Sequence, residues 1–444
     1  MKFFDQFQNL AKTDPRLFEL IQEETQRQET SLELIPSECV ASLSTIEALW
    51  SPFTNKYSEW YSWKRYYWGN EVVDEVETLA INRAKELFGV EHVNVQPYSG
   101  SPANFAVYNA LCEAGDTTMW LSLTEGGHLT HWWQASATGK FFNTILYWLN
   151  SEGYLDMQQV EELALEHKPK LIWCGTTAYS RAVDFKKFGE IADKIWAYLV
   201  ADISHISGLV ATWAHESPVD HVHLITTTTH KTLRGPRGGI IMTTKKGLEK
   251  NDKLAKMIDK SVFPWLQWGP HNHQTLAIAC ALWEALQPEF KEMSHQIVKN
   301  AKALAAELNA YGYELAAGGT DNHLILMSVW KGRWQFAQDA LDMAGITLNK
   351  NTIPNEPCSP FHPSGIRMGT PIMTMRGMKE NEMKQVASWM KQVFDEISHF
   401  DYLEDKEARK ALKKEFQEFI RKNEKLRSIK WEVSSFCKKF PIYS

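Results

Sequence analysis

At 444 residues, with 44% apolar and 23% charged side chains, the chain is long enough for a large buried core and reads as two domains in one globular subunit. Its net charge of -6, with Lys and Arg spread throughout, gives no electrostatic reason to expect nucleic acid or a membrane surface as a main partner, so a small-molecule ligand is the expectation. The six cysteines (Cys39, Cys112, Cys174, Cys280, Cys358 and Cys437) stand far apart, without the paired spacing of a zinc site, as in a reduced cytoplasmic protein with no bound metal.

Residues 1–30 mix charged and amide side chains with apolar ones at helical spacing and lack the apolar core of a signal peptide, so residues 1–50 are expected to form a helical amino-terminal segment. No later run approaches the roughly 18 uninterrupted apolar residues of a membrane span. Short apolar β-type runs (117–123, 144–148, 171–174, 197–201, 223–227 and 239–243) then alternate with helix-length segments. This predicts βαβ units and a mainly parallel sheet in a large α/β domain over residues 51–287, with ligands at the carboxyl ends of the strands. From about Pro288 the pattern changes to a long helix over 290–310, short strands around Tyr313 and over 324–329, and further helices, which predicts a smaller α+β domain over 288–444. The mixed charges of residues 404–427 read as a solvated helix face.

Four stretches carry chemistry. Residues 226–239, TTTTHKTLRGPRGG, follow an apolar strand and surround one lysine, Lys231, with hydroxyls, a histidine and a Gly-rich turn. Desolvation there would make its amine nucleophilic and suit it to a Schiff base, although a polar strand end with a solvent-facing lysine has the same letters. Asp202 ends another apolar strand, with His205 three residues on; its carboxylate could hold a protonated pyridine nitrogen or merely cap a helix. Ser99-Gly100-Ser101 opens a helical pattern, offering N–H groups to a phosphate or a simple cap. Gly126-Gly127-His128 also follows a strand, and the imidazole could stack on an aromatic ring or be structural.

Taken together, residues 226–239 resemble the Schiff-base region of the serine hydroxymethyltransferase family, and the similarity runs from Leu34 to the terminal FPIY. Further stretches that look like the family are TNKY at 54–57, KRYY at 64–67, GGHLTH at 126–131, GGTDNH at 318–323 and GIRMGTP at 365–371. The resemblance implies an aspartate-aminotransferase-like α/β fold, that of the fold-type I pyridoxal-phosphate transferases. It also implies hydroxymethyl transfer from serine to tetrahydrofolate with pyridoxal 5'-phosphate as cofactor. Lys231 would form the Schiff base, Asp202 bind the pyridine nitrogen, His205 and Thr177 lie near the ring hydroxyl, and His128 stack on the ring. Ser99, Gly100 and Ser101 would hold the phosphate; Arg367 would clamp the substrate carboxylate with its bidentate fork, Ser37 lying with it. Glu59 would be the acid/base, beside Tyr57 and Tyr67 in a tyrosine-rich, apolar pocket that favours its protonated form. His230 would join the catalytic group, and Leu123, Gly127 and Asn351 would meet the folate. Tyr57 and the loop 263–270 would reach the cofactor of a neighbouring subunit, so a homodimer or dimer of dimers is expected. A threonine-type aldolase on the same cofactor and a silent relative acting in binding or assembly are the alternatives.

The departures share one feature. The chain has 18 Trp and only 24 Gly, about 5% Gly where roughly 7% is usual. Trp50, Trp60, Trp63, Trp68, Trp120, Trp132, Trp148, Trp196, Trp213, Trp265, Trp268, Trp334 and Trp431 stand where the family has Gly. Two explanations fit: a gene whose UGA codons are read as Gly but written here as Trp, or a truly Trp-rich relative, which would bear much backbone strain. Trp389 lies in a helical pattern and reads as genuine, while Trp133, Trp173, Trp283 and Trp330 stay unassigned. Milder departures are Pro36 for a usual Ala, Cys39 for a usual Asn and Pro102 for a usual Gln, the last in a first helical turn where its missing N–H costs nothing.

Overall fold

The computed structural model describes residues 7–132, 136–329, 333–356, 358 and 362–443, without the side chains of residues 132 and 334. Trp133 and Trp330, and the side chains of Trp132 and Trp334, therefore lie outside the described residues.

Twelve strands are described: β1 Leu32–Glu33, β2 His92–Asn94, β3 Thr117–Leu121, β4 Asn143–Tyr147, β5 Leu171–Cys174, β6 Tyr198–Asp202, β7 Leu224–Thr228, β8 Gly239–Thr243, β9 Leu324–Ser328, β10 Ile346–Thr347, β11 Asn349–Asn351 and β12 Gly365–Gly369. Seven form one sheet in the order β2-β8-β7-β6-β5-β3-β4. The pairings from β7 through β6, β5 and β3 to β4 are parallel, and β8 runs antiparallel to both β7 and β2. The near-continuous apolar runs follow from this topology, because crossover helices cover both faces of a parallel sheet. Alternate side chains go to opposite layers: Met119, Leu121, Ile172, Leu199, Ile225 and Met242 join one core, and Trp120, Leu171, Trp173, Val200, Leu224 and Ile241 the other.

A second sheet, β11-β12-β9, is antiparallel, and β1 pairs with β10 beside it. Their core of Leu32, Leu34, Ile325, Met327, Ile366 and Met368 is closed by helices Pro288–Ala310, Glu380–Glu396 and Lys406–Lys422 through Leu304, Val386 and Phe416. Each fully buried side chain of this size contributes about 1.5–3 kcal/mol over leaving it in water. Near Tyr313 the strand expected from the sequence is reduced to one bridge between Leu315 and Met327. β9 pairs along its length with β12 on its other side, and beside Leu315 the chain goes straight into a short helical turn at Ala316–Gly318. No helix among the described residues is long and apolar enough to cross a membrane.

Four tryptophans sit in the left-handed region: Trp60 at φ 81°, Trp63 at 64°, Trp196 at 60° and Trp213 at 61°. A Cβ there meets the following carbonyl oxygen, at a cost of roughly 1–2 kcal/mol per residue, so such positions go to glycine. Their indoles recover little by burial, since Trp196 is 76% and Trp213 72% exposed. Trp120 and Trp173 are buried, but each has an indole N–H with no hydrogen-bond partner. Trp389 behaves otherwise: it is buried in helix Glu380–Glu396 and its Nε1 donates to Glu432 at 2.9 Å.

Candidate active site

The parallel strands deliver one group after another to the same edge of the sheet. His128 follows β3, Thr177 follows β5, Asp202 closes β6 with His205 just beyond, and Lys231 comes three residues after β7. Arg367 arrives from β12 of the other sheet and Ser37 from the segment after β1. A cavity of about 390 Å³ is lined by Ser37, Ser99, Gly100, Ser101, His128, Thr177, His205, His230, Lys231 and Arg367. Asp202 sits just behind it, close enough to act electrostatically on both His128 and Lys231.

Burial sets the charges. It pulls the Lys231 ammonium down to about 8, with Asp202 opposing and Arg367 and Arg237 reinforcing the effect. Burial would push the Asp202 carboxyl up, but His131 Nε2 donating at 3.1 Å and Ser204 N at 3.0 Å outweigh it and hold Asp202 ionised. Asn104 Nδ2 donates a further bond at 2.9 Å and is itself oriented by Thr226 Oγ1. His131 pairs as a neutral ring, drawn down to about 3 by its burial. Burial also lowers His128, and brings His230 to about 3. Arg367, lowered to about 10 by burial, donates to the Thr177 carbonyl at 2.6 Å and to Asn349 Oδ1 at 3.2 Å.

The phosphate-sized end is built from backbone. Asp14, Asp156, Asp184 and Asp405 each cap their helix with a side-chain oxygen, whereas Ser99 makes no such bond at helix Gly100–Leu111. Its first N–H groups are left for an anion. A Cβ at position 100 would meet Thr228 Cγ2 at 2.7 Å, so only glycine keeps this cradle open.

Leu123, Gly127 and Asn351 converge as well, on an adjoining cavity of about 440 Å³ that shares His128, Thr177 and Arg367 with the first. Glu59, Tyr57 and Tyr67 line neither cavity. Glu59 is buried, Tyr57 and Tyr67 are half exposed with rings meeting edge to face at 5.3 Å, and Tyr57 packs close over Gly269 of the 263–270 loop. Sequence reasoning gave no role to Asn104 and His131, which hold Asp202, nor to Glu38, Thr228 and Arg237, which line the cleft. His131, Thr228 and Arg237 do lie inside the stretches singled out above, but nothing local marks what they face.

The serine hydroxymethyltransferase family model matches residues 10–390. The serine hydroxymethyltransferase of Acidothermus cellulolyticus is 52% identical over 395 residues, covering 88% of this chain and 91% of that protein. With the cleft and its lysine in place beside these matches, the chain belongs to the serine hydroxymethyltransferase family.

Proposed function

We propose that the cleft formed by Lys231, Asp202 and Arg367 is where this chain interconverts serine and tetrahydrofolate with glycine and 5,10-methylenetetrahydrofolate, the reaction of its family. The residues fit pyridoxal 5'-phosphate. A buried amine held near 8 is neutral often enough to attack a carbonyl, a buried carboxylate awaits a ring N–H, and a glycine cradle at a helix start awaits a phosphate. Once bound, the cofactor supplies an electron sink for the carbanion left at the substrate α-carbon.

The chain supplies the rest. Lys231 would hold the cofactor, Asp202 would pair with its ring nitrogen, and Ser99, Gly100 and Ser101 would receive its phosphate. His128 would pack on the ring, and Thr177 and His205 would serve its hydroxyl. Arg367, already aimed by Thr177 and Asn349, receives the substrate carboxylate with Ser37. His230 stands beside Lys231 as a neutral proton acceptor. Leu123, Gly127 and Asn351 seat the folate next to the amino acid. Tyr57 and the 263–270 loop act across a subunit boundary, and Glu59, with Tyr67 beside it, is the acid/base for the serine hydroxyl or the folate. This makes a homodimer or dimer of dimers the active form, residing in the cytoplasm. We assign 1–50 to a helical amino-terminal segment, 51–287 to the cofactor domain and 288–444 to the smaller domain.

The buried Lys231 facing Asp202 carries this reading. Glycine release from serine and tetrahydrofolate tests it: Lys231→Ala is expected to lower turnover by at least about 10³-fold, and turnover unchanged in that variant would sink the assignment. Folate-independent cleavage of β-hydroxy amino acids as the faster reaction would favour the aldolase alternative.

We propose also that the working chain carries Gly at the 13 Trp positions named above, its UGA codons being read as Gly. Trp60, Trp63, Trp196 and Trp213 support this, each holding a conformation that glycine adopts freely. Restoration raises Gly to about 8% of the chain, near the usual share. Mass spectrometry of the protein from its native source decides it, since tryptic peptides spanning 196 and 213 read either Gly or Trp.

A further inference from the structure

One side-chain amide ties together three segments around the cleft. Asn104, buried on helix Gly100–Leu111, donates from Nδ2 to Asp202 Oδ2 at 2.9 Å and to Thr130 Oγ1 at 3.2 Å, while its Oδ1 accepts from Thr226 Oγ1 at 2.8 Å. Both amide hydrogens are thereby used. Asp202 sets the direction of the amide: its carboxylate is ionised, takes the Ser204 N–H at Oδ1 and has no hydrogen to give, so the Asn104 atom that faces it is the nitrogen.

The contacts continue to a ring of the cleft. The Thr130 hydroxyl, receiving from Asn104, keeps its own hydrogen for His128 Nδ1 at 2.7 Å. The main-chain N–H of Thr130 reaches the same nitrogen at 3.3 Å, and a backbone N–H can only donate. Two donors on one ring nitrogen leave it no proton of its own. Nδ1 of His128 is therefore the acceptor, and the hydrogen of the ring sits on Nε2. Burial favours that neutral ring; the charged and titratable groups around it are Asp202, Lys231, Arg367, His131 and His205. His128 lines both cavities, so Nε2–H is the one polar hydrogen this ring can bring to either.

We propose that Asn104 and Thr130 are positioning residues, a one-way relay of hydrogen-bond donors that holds His128 with Nδ1 bare and Nε2 protonated. Because the same amide donates to Asp202, one buried side chain sets both the carboxylate behind the cleft and the imidazole that lines it. A ligand atom meeting Nε2–H must accept, as a carboxylate or hydroxyl oxygen does. The relay stands on contacts within the chain, while its use toward the cofactor rests on the site roles proposed above.

Neutron diffraction from crystals of the cofactor-free protein reads the relay directly. Deuterium is expected on His128 Nε2, with the Asn104 amide deuterons toward Asp202 and Thr130. Deuterium on His128 Nδ1, or the Asn104 oxygen facing Thr130, would overturn the proposal whatever the fate of the proposed function. Nuclear magnetic resonance titration of the His128 ring, assigned by its loss in His128→Asn, then weighs the hydroxyl. A donor to Nδ1 favours the neutral ring, so removing it raises the midpoint. Thr130→Val keeps the shape and the main-chain N–H without the hydroxyl, and should raise the midpoint by about one pH unit, whereas Thr130→Ser should match the parent. Parent-like midpoints in both variants, or an equal rise in both, would show that the Thr130 hydroxyl does not act on the ring and would end the relay.

Discussion

The turns near the cleft and the turns around Trp196 and Trp213 belong to the same α/β layer, yet they differ in what occupies their tight positions. Beside the cleft several of these carry glycine, although Arg234, three residues after Lys231, holds φ 62°. A Cβ at Gly127 would stand 2.2 Å from the Leu121 carbonyl, and Gly175, at φ 141°, would place one 2.3 Å from that of Asp202. In the tryptophan turns, φ values of 60° and 61° are occupied by exposed indoles that gain little packing in return. Strain stored at a catalytic site has a use; Trp196 and Trp213 are exposed and line neither cavity, so strain there has none. The difference points to the identity of the residue rather than to a function of the turn.

The largest effect belongs to Asp202→Ala, which removes the carboxylate that faces Lys231 and strands the His131 N–H. Turnover should fall by roughly 10³-fold with the fold retained, a range typical of losing a catalytic electrostatic partner. Activity near that of the parent would mean that Asp202 only orders β6 and its neighbours. Next is Gly127→Ala, expected to destabilise by about 3 kcal/mol in denaturant unfolding, because backbone and not a flexible side chain stands in the way. The tryptophan turns should respond in the opposite direction. Trp196→Gly and Trp213→Gly are each expected to stabilise by about 1–2 kcal/mol, and a loss of stability in both would show that the indoles are native. Trp389→Gly serves as the control, since it empties a packed helix position and breaks the bond to Glu432, and it should destabilise.

The smallest expected effect is on pH. Lys231 has its folded value lowered to about 8 from 10.5. A lysine depressed by folding costs stability below about 8, and that cost is relieved as pH rises toward the unfolded value. The same sign governs chemistry, because the neutral amine is the nucleophile. Cofactor uptake by the cofactor-free protein should quicken by roughly tenfold between pH 7 and 9 and then level off. Asp202 stays ionised and His131 neutral throughout that window, so neither reverses the trend. A rate independent of pH would place the Lys231 value elsewhere.

Much of the cleft was legible because its signals are local. Lys231, Asp202, His128 and the Ser99–Ser101 turn each follow an apolar run directly, and parallel topology sends all such ends to one edge. What holds them was not legible. Asn104 and His131 reach Asp202 from 98 and 71 residues away in sequence, and no spacing rule predicts that meeting. The same holds for His205 and His323, 118 residues apart. Glu59, Tyr57 and Tyr67 were legible only through resemblance, and they line neither cavity. The tryptophans gave a compositional signal first, and their backbone angles then singled out four of them.

The most direct measurement is glycine release from serine, with tetrahydrofolate and pyridoxal phosphate, by two purified forms: the chain as written and the chain with Gly at the 13 positions. Rapid folate-dependent turnover is expected of the glycine form, lost on Lys231→Ala, with a marked deficit in the tryptophan form. A glycine form that folds and binds the cofactor yet releases no glycine would contradict the proposed function.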